Sequence, residues 1–399
     1  MMNVFHILAA SLLSLSLAAQ EAPHLRIGSW NLEWFGGPPA MRSVHLEGGK
    51  RSELPPRDEQ DLAEMARFVR ELGVAVLAVQ EIGSEDALRK MAKQIGPKWN
   101  VVLGTTGGFA EGKTLQAVGF CYDDARVDLL WAEEMLDFPR EKDGLPIFHR
   151  VPVTACFKDR QTGLDFRAVV LHLKAGDKAD DKKKRAFEAQ GIRDWLVTLQ
   201  SSSDEDQDIV VLGDFNSTYG TEVQQTLEAS GVARYLPQLK SEPTIMHFDE
   251  PIDQIAPSPR FLEVQANSFD SHSEAALPDK AAWRKTHSDH YPVTVSLTNG
   301  GDDDPQATFS RGKREHRLPA SARSQQEAAT DVKAQTPRAR SDEAFAAGVA
   351  VRLLVNDERS HYVIEGTLLS GLSEWVKIRD LSGMIRAFPA SAIREVQRR

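Results

Sequence analysis

Two short segments carry residue types suited to phosphoryl chemistry. In Gly213-Asp214-Phe215-Asn216-Ser217 a carboxylate and an amide follow the apolar run Ile209-Val210-Val211-Leu212. A turn there aims both at one point, the acid to polarise a water and the amide to hold an anionic oxygen. In Ser288-Asp289-His290-Tyr291-Pro292-Val293 an acid abuts a histidine at the mouth of a strand-like run. Asp253, in Pro251-Ile252-Asp253-Gln254-Ile255, is a candidate partner for that imidazole. A carboxylate on one ring nitrogen fixes the tautomer and stabilises the imidazolium. Each of these residues, taken singly, also fits a helix cap, a turn or a surface position.

Three further polar residues sit at the ends of apolar runs. Asn31 follows Arg26-Ile27-Gly28-Ser29-Trp30, Glu81 follows Val74-Ala75-Val76-Leu77-Ala78-Val79-Gln80, and His172 follows Phe166-Arg167-Ala168-Val169-Val170-Leu171. A carboxylate at such an end is costly without a cation or a donor, although a solvent-exposed strand end is the plainer explanation. Strands bundled together deliver these ends to one rim. That rim offers carboxylate, amide and imidazole but no thiolate, a donor set for a hard divalent cation and phosphoryl transfer.

The positioning elements follow from periodicity. Leu62, Met65, Phe68, Val69 and Leu72 are spaced as one face of a helix over 58–72, and Phe187, Ile192, Trp195, Leu196 and Leu199 as one face of a helix over 181–199. Each leads into an apolar strand. Hairpin-like pairs are expected at 116–123 with 126–132, and at 150–157 with 164–172. The mixture predicts two packed sheets with helices outside, over residues 24–298.

The flanks differ. Residues 4–19 form a short apolar block ending in small residues, which reads as a secretory signal over 1–20 and predicts an exported chain. No later stretch is long and apolar enough to cross a membrane. Residues 299–345 are poor in large apolar residues, and positions 305–340 hold eight basic residues against three acidic, which reads as a disordered, locally cationic linker. Four short strand candidates between 346 and 398 suggest a small SH3-like β-barrel that docks a protein or polymer partner. Residues 299–399 carry 16 Lys and Arg against 14 Asp and Glu, and the rest of the chain 32 against 44. So acidic a body argues against tight, non-specific binding of nucleic acid by phosphate neutralisation. Cys121 and Cys156 do not make a disulfide framework; they read as buried core residues, or as one bridge if their strands are neighbours.

Five blocks in order resemble the endonuclease/exonuclease/phosphatase superfamily, the fold of pancreatic deoxyribonuclease. They are Ser29-Trp30-Asn31-Leu32-Glu33, Val79-Gln80-Glu81, Leu171-His172-Leu173-Lys174, Gly213-Asp214-Phe215-Asn216 and Ser288-Asp289-His290. The resemblance covers about residues 25–298 and implies a four-layer α/β sandwich with the site at one end of its sheets. It implies Glu81 as the principal Mg²⁺ ligand, with Mn²⁺ or Ca²⁺ as alternatives, and Asn31 as a second-site or water-mediated ligand. Asp289 would assist metal or water positioning. Asp214 would activate or place the attacking water, Asn216 would hold a phosphate oxygen, and His172 would donate to a non-bridging oxygen. His290, paired with Asp253, would be the general base or stabilise the transition state. Arg150 falls where relatives set an arginine against the substrate phosphate.

The resemblance spans nucleases, inositol-phosphate phosphatases and sphingomyelinases. Asp249-Glu250-Pro251-Ile252-Asp253 departs from the Trp-Cys-Asp-Arg block of the inositol phosphatases, and His172 stands where abasic-site enzymes carry tyrosine. The 265–287 loop offers Phe269 and Trp283 but no apolar pair at a tip for entering lipid. The expectation is an Mg²⁺-dependent nuclease acting on nucleic acid. The alternatives are a sphingomyelinase-like or sugar-phosphate hydrolase, and a non-catalytic adaptor working through the C-terminal module.

Overall fold

A computed structural model describes residues 25–37, 42–45, 51–106, 108–109, 114–236, 242–276, 279–298, 301–310 and five strands between 350 and 398. The expected signal segment and residues 311–345 of the expected linker lie outside the described residues. The chain divides into two units, residues 1–325 and 326–399.

In chain order the first unit contains β1 (Leu25–Phe35), α1 (Glu59–Leu72), β2 (Val76–Ile82), α2 (Glu85–Ile95), β3 (Trp99–Leu103) and β4 (Ala117–Asp123). Then come β5 (Val127–Glu134), β6 (Val153–Asp159), β7 (Asp165–His172), α3 (Ala179–Gln200), β8 (Ile209–Asp214) and α4 (Glu222–Ala229). β9 (Asp253–Pro257), β10 (Asp270–Ser271), α5 (Lys280–Thr286) and β11 (Val293–Leu297) follow, with three short two-stranded hairpins and a 3-10 turn at His272–Ala276 among the elements of the unit. One sheet has the order β10-β11-β1-β2-β4-β3, the other β9-β8-β7-β6-β5.

Alternation along each strand sorts the side chains into layers. Val76 and Ala78 of β2, with Ala168 and Val170 of β7 and Val210 and Leu212 of β8, fill the space between the sheets. Leu77 and Val79 point the other way, onto Leu62, Met65 and Val69 of α1 and Leu88 and Met91 of α2. Val169, Leu171 and Val211 meet Ile192 and Leu196 of α3 and Leu227 of α4. The result is helix, sheet, sheet, helix, the four layers expected. The α1 stripe is buried along its length. Asp58 caps the helix, accepting from the Gln60 and Asp61 amides, and Gly73 ends it at φ 68°.

One expected hairpin forms and one does not. β6 and β7 pair antiparallel, Val153 opposite Val170, across a turn held by Asp159, whose carboxylate accepts from Thr162 Oγ1 at 2.6 Å. The expected pairing of 116–123 with 126–132 is replaced by a crossing between sheets. Both edges of β4 are taken, by β2 and β3, so β5 joins β6 in the other sheet. Cys121 and Cys156 consequently lie in different sheets, each free and buried.

The expected linker begins too early. Residues 301–310 lie along the end of the second sheet, where Thr308 bridges Glu205 and Ser310 N donates to Glu205 Oε2 at 2.9 Å. Phe309 packs over the Arg167 guanidinium, which also stacks on Trp131 and Trp195. The signal was Phe309 itself, an aromatic in an otherwise polar run.

In the second unit β12 (Ala350–Asp357), β13 (Ser360–Leu368), β14 (Trp375–Asp380), β15 (Ile385–Pro389) and β16 (Ile393–Arg398) form one antiparallel sheet. Its order is β15-β14-β13-β12-β16. The first four match the expected strands. β16 is additional and pairs with β12. Pairing between the edge strands β15 and β16, which would close a barrel, is not among the described pairings. No helix among the described residues is long and apolar enough to cross a membrane.

Candidate active site

Strand direction builds the rim. β1 and β2 run parallel, as do β7 and β8, with His172 in register with Asp214. The antiparallel strands β9 and β11 begin where those end: Asp214 faces Asp253, and Ser29 faces Val293, three residues past His290. Parallel ends and antiparallel beginnings therefore meet at one edge of both sheets, as open α/β sheets place their sites.

Local backbone then aims the side chains. Glu81 sits in the left-handed region at φ 61° and Asn216 at φ 48°, conformations that cost non-glycine residues energy and cluster at functional sites. Gly213 is at φ 142°, and a Cβ there would lie 2.0 Å from Leu171 O. Only glycine lets β8 run this close to β7 before the Asp214 turn. Asp214 Oδ1 accepts the Asn216 amide at 2.8 Å, and Asn216 Nδ2 donates to Leu173 O at 3.1 Å.

The site gathers around Asp214 Oδ2. Asn31 Nδ2 donates to it at 3.0 Å, His172 Nε2 lies 3.3 Å away and His290 Nε2 3.8 Å away. Glu81 Oε1 lies 3.4 Å from Asn31 Nδ2 and 3.8 Å from His172 Nε2, and Glu81 Oε2 accepts the Trp34 amide at 3.0 Å. His290 Nδ1 and Asp253 Oδ2 are 2.9 Å apart. Six of the nine residues expected at the site, Asn31, Glu81, His172, Asp214, Asp253 and His290, are thus linked by direct contacts, and Asn216 joins them through its amide.

Arg150 and Asp289 stand one step back. Arg150 is buried, its Nη1 donating to Gln116 Oε1 at 3.0 Å and its Nη2 to Leu173 O at 2.8 Å, while its Nε has no partner. Asp289 lies 3.5 Å from Arg284 Nη2. Asn31 Oδ1 accepts the Glu33 amide at 3.0 Å, and its amide nitrogen faces the carboxylates of Glu81 and Asp214.

Electrostatics separate the groups. Burial and the neighbouring Asp253 push the Asp214 carboxyl up, against the opposing charge of His290 and the hydrogen bonds from Asn216 and Asn31. Burial and Asp289 push Glu81 up. Burial alone would depress His290, but Asp253, Asp214 and Asp289 outweigh it and hold the imidazolium well above the usual histidine range. His172 moves the other way: burial, then Arg150 and His290, keep it neutral. Two histidines on one carboxylate are thereby poised in opposite protonation states.

These are the surroundings a hard cation suits. Glu81 and Asp214 are carboxylates held at an energetic cost, and buried Asp253 Oδ1 and His172 Nδ1 lack partners. Glu81 and Asp214, with Asn31 beside them, are the residues that would hold the ion.

Three supporting residues escaped the sequence reading. Glu33 is buried and takes Arg284 Nε at 2.9 Å and Arg42 Nε at 3.3 Å, with Arg57 3.9 Å away. Ser288 Oγ donates to Asn31 O at 2.7 Å and accepts the His290 amide at 3.1 Å. Thr244 Oγ1 accepts the Asp253 amide at 3.0 Å. Glu33 and Ser288 lie inside the blocks that carried the resemblance, and that position was the available signal. Nothing in sequence marks Thr244.

His287 stacks on Trp283 with ring centroids 4.0 Å apart, under the segment that carries His290. Burial pushes its pKa down from 6.5 to about 4. A histidine so depressed binds fewer protons folded than unfolded. Its contribution is intact above pH 6.5 and is lost as pH falls toward 4. His287→Phe is expected to flatten that acid-side decline by on the order of 2–3 kcal/mol, measured by urea unfolding at stepped pH. An unchanged slope would mean another group titrates there.

A family model for the endonuclease/exonuclease/phosphatase family matches residues 28–290. The chain belongs to this family, whose members are hydrolases acting on phosphate esters. A curated relative from Thioalkalivibrio sp. (strain K90mix), a deoxyribonuclease, is 23% identical over 211 residues, covering 52% of this chain and 50% of the relative. The chain thus spans about half the length of the curated relative it matches. Among solved structures, the human Nocturnin catalytic domain with bound sulfate anion covers 69% of this chain and 94% of its own at 13% identity and a TM-score of 0.48. An endonuclease/exonuclease/phosphatase from Bacteroides vulgatus covers 68% and 98% at 18% identity and the same score.

Proposed function

We propose that this chain is a divalent-cation-dependent phosphodiesterase that hydrolyses nucleic acid by in-line attack of water. The observation that carries it is the convergence on Asp214 Oδ2 of Asn31, His172 and His290, with Glu81 alongside and Asp253 behind the imidazole. A nucleic-acid substrate is supported by the deoxyribonuclease name of the curated relative.

In this reading Asp214 positions the attacking water and takes its proton. Its raised affinity for protons suits that task. Asp253 holds His290 Nδ1, so Nε2–H faces the reacting centre. The 3.8 Å to Asp214 is too long for a hydrogen bond and leaves that proton for a phosphoryl oxygen. His290 thus presents positive charge where the phosphorane becomes most negative. His172 and Asn216 flank the same point to hold non-bridging oxygens. Arg150, anchored by two hydrogen bonds, adds a fixed positive field rather than a mobile clamp. A bound cation, Mg²⁺ in this proposal, would polarise a phosphoryl oxygen as a Lewis acid.

Export is part of the proposal and is supported by the apolar block at 4–19. Docking of a protein or polymer partner by the C-terminal module, residues 346–398, is likewise proposed.

The test offers purified full-length chain plasmid DNA, RNA and sphingomyelin vesicles in parallel, with Mg²⁺ and with chelator. Cleavage of a polynucleotide that stops on chelation is the expected result. Phosphocholine release from vesicles with intact DNA and RNA would replace nucleic acid by lipid as the substrate.

A further inference from the structure

A second set of carboxylates lies where the proposed reaction has no use for it. Asp206 and Asp208 precede β8, whose far end is Asp214. A strand of that length spans about 20 Å, so this cluster sits at the opposite rim from the active site. Asp206, Asp208 and Asp304 each bring an oxygen within 4.8 Å of the others, and Asp208 forms a second such trio with Glu263 and Asp303.

Acidic clusters are common on surfaces, but here Asp206, Asp208 and Glu263 are buried, with Asp304 half-buried and Asp303 exposed at the edge. Asp206 is 0% exposed and Asp208 1% exposed. Both carboxylate oxygens of Asp208 are buried without a hydrogen-bond partner, as are Asp206 Oδ2, Asp304 Oδ1 and Glu263 Oε2. Backbone amides fix one oxygen each of Asp206 and Glu263: Asp208 N donates to Asp206 Oδ1 at 2.8 Å, and Asp303 N to Glu263 Oε1 at 3.2 Å. The Arg167 guanidinium is committed to Glu205 at 2.8 Å and to Ser310 O. Buried carboxylates lacking both donors and a counter-charge are among the most expensive arrangements in a folded chain.

We propose that Asp206, Asp208 and Asp304 bind a divalent cation of the calcium class, which fastens residues 301–310 to the catalytic domain. Ca²⁺ accepts six to eight oxygens in irregular geometry, whereas Mg²⁺ demands a near-ideal octahedron and keeps its waters. Glu263 and Asp303 add negative charge beside the ion. Two ligands come from the loop before β8 and one from the end of the domain, so the ion joins segments remote in sequence. The same segments already meet through Asp206 N to Thr308 O at 3.1 Å and Thr308 N to Asp204 O at 3.2 Å.

The full chain is melted at about pH 7.5 in EDTA, in millimolar CaCl₂ and in millimolar MgCl₂, as wild type, Asp208→Asn and Glu81→Gln. Ca²⁺ is expected to raise the midpoint of wild type and Glu81→Gln by several degrees, and Mg²⁺ by less. The Glu81→Gln arm separates this ion from the one at the active site. Asp208→Asn is expected to melt above wild type in EDTA and to show no rise with Ca²⁺. Chymotryptic cleavage after Phe309 is expected to slow with Ca²⁺ in wild type and not in Asp208→Asn. Asp304→Asn gives the same readouts if Asp208→Asn does not fold. A wild type indifferent to Ca²⁺, an Asp208→Asn or Asp304→Asn protein responding to Ca²⁺ as wild type does, or an effect of Mg²⁺ on Glu81→Gln equal to that of Ca²⁺ would overturn the proposal.

Discussion

His290→Ala is expected to lower turnover of the preferred phosphodiester by on the order of 10²–10⁴ while leaving substrate affinity nearly unchanged. The imidazole is buried and carries its charge because Asp253 sits 2.9 Å from Nδ1. Its Nε2 lies 3.8 Å from Asp214 Oδ2. Alanine removes a donor that matters when charge builds on the phosphorane, so kcat falls rather than KM rising. Asp253→Asn separates positioning from presence. The ring stays, but the amide no longer holds it charged, and the alkaline limb of the pH–rate profile is expected to move to lower pH while folding is retained. A His290→Ala enzyme with undiminished kcat would show that the imidazole is only a packing residue.

Removing the Glu81 carboxylate is expected to produce effects of opposite sign on activity and stability. Burial and Asp289 already make its charge costly. A carboxyl whose folded pKa is raised is most favourable below its unfolded pKa, and it loses that contribution as pH rises through the folded value. At neutral pH in chelator, Glu81→Gln therefore relieves a strain and is expected to melt higher than wild type. With Mg²⁺ the order reverses, because only the wild type gains from binding at the active site. Activity at saturating substrate is expected to fall at least 10²–10³-fold, and the Mg²⁺ needed for half-maximal rate to rise. Thermal melts and a metal titration of rate check the two halves separately. A variant with lower stability in chelator and unchanged metal dependence would move the ion away from Glu81.

Much of the site could be read from the sequence because its geometry is set by strand ends. Asn31, His172 and Asp214 each end an apolar run, and runs buried on both faces have to lie side by side, which leaves their polar ends at a common rim. The pairing of His290 with Asp253 was legible for the same reason, since each opens a strand at that rim. What stayed hidden depends on which edge a strand finds vacant. Residues 116–132 have the pattern of a hairpin, yet β4 is already flanked by β2 and β3. No local pattern encodes that occupancy. β16 was missed because Ile393 and Val396 alone do not mark a strand. Glu33 was quoted inside a block without a role; its three arginines come from positions 42, 57 and 284, and only the fold brings them together.

The docking of Phe309 on Arg167 bears on where the catalytic domain can be cut. A fragment ending at 298, where the strand pattern stops, would strip one aromatic face from a guanidinium that also touches Trp131 and Trp195. It would also take from Glu205 the Ser310 amide. The smallest recombinant piece that keeps this corner whole ends after residue 310, and shorter versions are expected to yield poorly for reasons unrelated to catalysis.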